Sequence, residues 1–347
     1  MGESIAAKAA RVAVRSCLKP GLQPMFSVAI QRIWANVATR TLAVPFGVRF
    51  AKSSLGGVPT ERVQSKRAAQ LSADAILFLH GGAYIIGSPV SHRSITGRLA
   101  RLTGATVFVP DYRLAPEYPF PAALDDALAC YCELLANGYA PERIAVAGDS
   151  AGGGLALALC LQLRAEGLAQ PACLALISPW ADLTLTSLAP IANDPLLRAS
   201  WLAQGAAAYL AGRAAEEPLI SPLFANLAGL PPTLVQSASE EILLDDSRRL
   251  VAALDAAGVA VSHREFPLMW HDFQLYAGVV PEATQALREI AEFVAARLAP
   301  SLADRDLLPE RKEADIARRD ENPAFSSVGN DQMKPGSLRS RFGESLR

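Results

Sequence analysis

Little in this chain points to a metal, a nucleic acid or a bilayer span. Its 347 residues include four histidines and five cysteines. The cysteines (Cys17, Cys130, Cys132, Cys160 and Cys173) are odd in number, sit in apolar or helical stretches and lack metal-ligand spacing. They therefore read as core residues of a protein from a reducing, cytoplasmic compartment, with no metal site expected. The formal net charge is -1, which gives no field to attract a polyanion and argues against nucleic acid as a partner. No apolar run is long enough to span a bilayer, and no internal repeat is visible. The chain is rich in hydrophobic residues, 51% against 19% charged, ample for one large α/β domain with a small appendage.

Residues 1–45 carry Lys8, Arg11, Arg15, Lys19, Arg32 and Arg40 against the single acid Glu3. Apolar residues recur at helical spacing from Phe26 to Trp34, so one or two amphipathic helices are predicted. A transit peptide has a similar composition. Without a cleavable apolar core, the preferred reading is helices folded onto the main domain. Contact with a membrane surface is the lesser alternative and is not expected. A hairpin follows across Gly56-Gly57. Strands at 75–79, 105–109, 143–147, 173–177, 233–236 and 259–266 then alternate with helices, the last at 283–298. That order implies a mostly parallel central sheet covered by helices on both faces, occupying residues 46–299. An excursion at about 183–228 is too long for a simple crossover. Residues 300–347 lack apolar periodicity and read as a disordered tail.

The pentapeptide Gly148-Asp149-Ser150-Ala151-Gly152 stands between a predicted buried strand and an Ala/Leu-rich helix. G-x-S-x-G in that context is the nucleophile-elbow pattern, in which a sharp turn exposes the serine hydroxyl and sets the Ala151 N–H at a helix N-terminus. A serine needs a base and an orienting group. His80 opens a Gly-Gly loop. His92 stands at a helix start and reads as solvated, and His263 reads as a surface strand residue. His271 lies in the loop after the last strand, on the rim the elbow shares, and is the best base. The acid is expected after the preceding strand, where Glu240, Glu241, Asp245 and Asp246 compete, with helix capping accounting for at least one of the aspartates.

These residues resemble the hormone-sensitive-lipase family of α/β-hydrolases, the bacterial family IV esterases. The resemblance rests on His80-Gly81-Gly82-Ala83-Tyr84, Gly148–Gly153, Asp111–Glu117 with Phe120–Ala123, Ser178–Leu183 and Ser221–Leu223. It covers roughly residues 25–298. It implies an α/β-hydrolase fold with Ser150 as nucleophile, His271 as base and Glu241 as acid, with Asp245 the rival. It also implies an oxyanion hole of Gly81, Gly82 and Ala151, and a helical cap built from the N-terminal helices and part of the excursion. Tyr84, Trp201 and Tyr209 become candidate substrate contacts. Ala83 departs from the family's third glycine, and Glu241 from its usual Asp. The implied activity is hydrolysis of small carboxylic esters without a cofactor, with a homodimer left open. A lactone is an alternative substrate, and a non-catalytic binder on the same fold is the rival of another class.

Overall fold

The computed structural model of the chain describes residues 3–66, 72–191 and 194–298. Eight strands form one sheet in the order β1-β2-β4-β3-β5-β6-β7-β8. The hairpin is as expected: β1 (Val48–Leu55) runs antiparallel to β2 (Val58–Ser65). β2 is also antiparallel to β4 (Thr106–Pro110). All further pairings, through β3 (Ala75–Leu79), β5 (Ile144–Asp149), β6 (Cys173–Ile177), β7 (Thr233–Ala238) and β8 (Val261–Phe266), are parallel.

β3 to β7 are buried at every residue, while the edge strand β8 is largely open. Sequences such as Ala-Ile-Leu-Phe-Leu and Cys-Leu-Ala-Leu-Ile therefore do not alternate, because helices cover both faces. Of these, α3 (Arg93–Thr103) packs with α8 (Pro281–Leu298), and α4 (Ala122–Ala136) with α5 (Ala151–Ala165). α5 is apolar all round and buried almost throughout, as befits a central helix. α7 (Leu244–Ala256) lies against β7 and β8.

The segment between β6 and β7 contains α6 (Ala199–Leu210). It meets α2 (Val28–Thr39) of the N-terminal pair, α1 (Ile5–Ala13) and α2, through polar contacts. The Trp201 indole N–H donates to Gln31 Oε1 at 2.7 Å, and Gln31 Nε2 donates to Gln204 Oε1 at 2.9 Å. Arg32 forks onto Glu117 at 2.7 and 2.9 Å and also donates to the carbonyls of Ile85 and Ala115. Ser4 caps α1 and bonds Glu282 of α8 through both its N–H and its hydroxyl, at 2.8 Å each.

α1 turns Ala7 and Ala10 inward as expected, but α2 departs from expectation. Its buried residues are Gln31 and Ala35, whereas Ile30, Ile33, Trp34 and Val37 are exposed. The helix is held by hydrogen bonds from Gln31 and Arg32, so its polar side faces the protein and its apolar stripe faces out. The expected tail at 300–347 lies outside the described residues. Among those residues no helix is long and apolar enough to cross a membrane.

Candidate active site

The elbow forms between β5 and α5. Ser150 has φ 51° and ψ -121°, a strained conformation for any residue with a Cβ. It is over-determined by its surroundings: Ser150 N–H donates to Ile177 O at 2.8 Å, and Ser150 O accepts from Trp180 N–H at 2.9 Å. The flanking glycines are demanded by close approach. A Cβ on Gly152 would stand 2.0 Å from Leu79 O, and one on Gly148 would stand 2.3 Å from Gly152 O. Only bare backbone lets the turn close this tightly against β3.

Across the rim, His271 Nδ1 lies 2.8 Å from Glu241 Oε2, with both side chains buried. Glu241 is anchored in turn, its Oε1 accepting Ala238 N–H at 2.9 Å. Asp194, from the β6–β7 segment, accepts the neighbouring Ile242 N–H at 2.9 Å and so steadies the same loop. Asp245, the rival acid, points away and lies 3.7 Å from Arg248. The other ring nitrogen, His271 Nε2, is 3.1 Å from Asp272 Oδ2. Burial opposes the imidazolium, but the carboxylates of Asp272 and Glu241 outweigh it and raise the His271 pKa well above the usual range. Burial also pushes the Asp272 carboxyl up to about 6. Asp272 takes a left-handed backbone conformation, φ 55°, which turns its side chain back onto the histidine that precedes it.

One oxyanion expectation requires correction. Gly81 N–H donates to Asp149 Oδ1 at 3.0 Å, so it is not free to face a substrate. The next two amides, of Gly82 and Ala83, donate to no other described residue. Ala83 has φ 52°, a left-handed turn that favours the glycine it replaces. The second Asp149 oxygen lies 3.0 Å from His92 Nε2, and His92 Nδ1 lies 3.2 Å from Ser88 O. His92 is thus buried, against the expectation of a solvated residue, because Asp149 supplies a partner from another element. His80 is also buried, stacked on Tyr112 with ring centroids 4.3 Å apart, and burial lowers its pKa to about 3. It is a neutral residue packed behind the glycine loop. His263 is exposed, as expected, and bonds Ser237 Oγ at 2.8 Å.

Ser150, His271, Asp272, Gly81 and Gly82 line one pocket, whose empty space is about 550 Å³ including its open mouth. Leu18, Leu22, Ala35, Leu196, Leu197 and Trp201 make it apolar. Trp201 is therefore a pocket wall. Tyr84 and Tyr209 are not: their rings stack on one another at 3.7 Å, buried away from the pocket. Stacking of Tyr84 on Tyr209 of α6 places them there, and the sequence offers no periodicity by which to separate them from Trp201. Sequence reasoning misses three residues here: Asp149, Asp272 and His92. Asp149 and Asp272 could be flagged as the immediate neighbours of Ser150 and His271; nothing local marks His92. Among the described residues no group of three or more His, Cys, Asp or Glu side chains could hold a metal ion.

An elbow serine, a carboxylate-bound histidine and an eight-stranded mostly parallel sheet define an α/β-hydrolase, and the sequence profile of the alpha/beta hydrolase fold matches residues 76–275. The crystal structure of an esterase from the bacterial hormone-sensitive lipase family superposes with a TM-score of 0.81 at 37% identity, covering 86% of this chain and 100% of that one. A hormone-sensitive lipase from a metagenome library gives 0.80, again at 37% identity, with 86% and 100% covered. An esterase of Acinetobacter venetianus is 44% identical over 244 residues, 69% of this chain and 79% of its own length. The carboxylesterase/phospholipase LipF of Mycobacterium tuberculosis is 37% identical over 269 residues, 74% and 70% of the two chains. The chain belongs to the hormone-sensitive-lipase-like branch of the α/β-hydrolases and is a carboxylic ester hydrolase. The rival reading as a non-catalytic binder is set aside.

Proposed function

We propose that the enzyme cleaves esters of short to medium acyl chains through a Ser150-His271-Glu241 triad and an acyl-enzyme. The observation that carries this reading is the 2.8 Å contact between His271 Nδ1 and Glu241 Oε2 in the pocket that also holds the elbow serine. His271 Nε2 releases Asp272 and takes the Ser150 proton as Oγ attacks the ester carbonyl carbon. The amides of Gly82, Ala83 and Ala151 face the oxyanion. Collapse expels the alcohol, which receives its proton from His271. Water then attacks the acyl-enzyme, with His271 again as base, and the acid leaves.

α1, α2 and the β6–β7 segment serve as the cap, and the apolar walls at Leu18, Leu22 and Leu196 favour an alkyl acyl group. Five free cysteines, three of them buried, support a cytoplasmic setting. The test is Ser150→Ala. It is expected to abolish p-nitrophenyl butyrate turnover while leaving the circular dichroism spectrum and melting temperature in place. Retained turnover would remove Ser150 from the chemistry. An acyl-chain series on the wild type should fall off once the chain outgrows the pocket.

A further inference from the structure

An amphipathic helix at a protein surface normally turns its apolar stripe inward. On α2 the stripe is reversed. Ile30, Ile33, Trp34 and Val37, spaced i, i+3, i+4 and i+7, are 50%, 66%, 44% and 61% exposed. With Cys17 and Ala38 they form a shallow, almost wholly apolar groove. The groove is held in shape: the Trp34 indole N–H donates to Cys17 O at 2.8 Å, and Gly21 leaves room for the ring, since a Cβ there would stand 2.2 Å from it. The opposite side of the same helix supplies Ala35 and Thr39 to the catalytic pocket.

The segment that carries this stripe is one-sided in charge. After Glu3 the next acid in the sequence is Glu61, and the interval holds Lys8, Arg11, Arg15, Lys19, Arg32, Arg40, Arg49 and Lys52. Arg32 is bound to Glu117, and Arg11 to Glu3. Arg15, two residues from the groove-lining Cys17, and Arg40, at the C-terminal end of α2, are exposed and pair with no described carboxylate. Apolar side chains flanked by Arg15 and Arg40, with Glu117 engaged by Arg32, complement one surface in particular, a bilayer rich in anionic headgroups.

We propose that the outer face of α2 docks the enzyme on an anionic phospholipid surface, with Ile33, Trp34 and Val37 at the acyl boundary and Arg15 and Arg40 among the phosphates. Such a contact needs no spanning helix. The reason for not expecting it, that the apolar residues of the N-terminal helices fold inward, does not hold for α2. Docking brings the roof of the pocket against the lipid, so an ester partitioned into the bilayer meets the enzyme on its pocket side.

The test is sedimentation of the full chain with phosphatidylcholine vesicles, alone or mixed with phosphatidylglycerol. Wild type and Ser150→Ala should pellet equally with the mixed vesicles and far less with phosphatidylcholine alone, so the binding result stands apart from the esterase reading. Ile33→Glu with Val37→Glu should reduce partitioning by about tenfold or more, and its turnover of a soluble ester should match wild type. Should that pair fail to fold, Ile33→Ser with Val37→Ser gives the same readout. Arg15→Gln with Arg40→Gln should lose most of the preference for anionic vesicles. The proposal is overturned if wild type stays in the supernatant with mixed vesicles, or if the groove variants pellet like wild type. It is equally overturned if the chain is a dimer that the groove variants convert to monomer without any lipid binding, since a second copy would then be the occupant.

Discussion

Two buried histidines stand in this pocket, each against a carboxylate, and they are not equivalent. His92 has its Nε2 on Asp149 and its Nδ1 on the Ser88 carbonyl, and the carboxylate that holds it also holds the Gly81 amide. His271 has its Nδ1 on Glu241 and its Nε2 on Asp272. Both pKa values are raised, in each case because carboxylates outweigh burial. Pairing with a carboxylate therefore does not make a histidine catalytic. What matters is whether one ring nitrogen can be released toward a reacting atom. His92 is bound by backbone on one side and on the other by Asp149, the carboxylate that also anchors the glycine loop. His271 is bound on its pocket side only by a neighbouring side chain that burial inclines toward protonation.

The largest expected effect separates the two directly. Glu241→Gln should lower kcat by about 10³–10⁴, because the amide cannot stabilise an imidazolium, while the melting temperature stays close to wild type. Asp245→Asn, exposed and paired with Arg248, should remain within about twofold. Steady-state kinetics on one ester reads both, and equal losses would move the acid away from Glu241.

His92→Gln should show the reverse pattern, with its main loss in stability. It strands the buried Asp149 carboxylate, a change typically worth on the order of 3 kcal/mol. The sign of the pH dependence follows from the raised folded pKa. The stabilising contribution is fully present below the unfolded imidazole value of about 6.5 and is lost as pH rises through the folded value. The gap in melting temperature between wild type and variant should therefore be widest in acid and narrow toward alkaline pH. A gap that widens with pH would mean His92 is held neutral.

Much of this site is legible in the amino-acid sequence. The elbow is legible because the chemistry demands glycines at two fixed offsets from the serine, and His271 because loops after parallel strands share one rim. Glu241 follows from chain order combined with family resemblance. The role of Asp149 is not legible, since a carboxylate that binds an amide 68 residues away leaves no local trace. The outward stripe of α2 is hidden for the opposite reason. Its periodicity is plain, but periodicity says only that a helix has two faces; Gln31 and Arg32 decide which one turns in.

Asp272→Asn sharpens the comparison by altering only the pocket side of His271. Asp149 and Glu241 also face Asp272, and Asp194 faces His271, so the substitution removes one anion of several. General-base catalysis needs neutral imidazole, so activity rises with pH through the His271 pKa. Removing the Asp272 charge lowers that pKa, so the acid limb of kcat/KM should move to lower pH. A limb that does not move would show that the Asp272 contact is broken before substrate binds.

The smallest expected effect is at Ala83, where three modest contributions oppose one another. A left-handed alanine costs roughly 1–2 kcal/mol relative to an unstrained one, which glycine would relieve. Glycine gives back about 0.4–1 kcal/mol through a freer unfolded chain. The Ala83 methyl is buried against α6, where even a Cβ on Gly205 would stand 2.9 Å from it, and its loss costs about 0.8 kcal/mol. Ala83→Gly should therefore leave the melting temperature within a few degrees and turnover within about threefold. A large gain in rate would mean the methyl crowds the reacting carbonyl. A large loss of stability would mean that its contact with α6 is what holds that helix over the pocket.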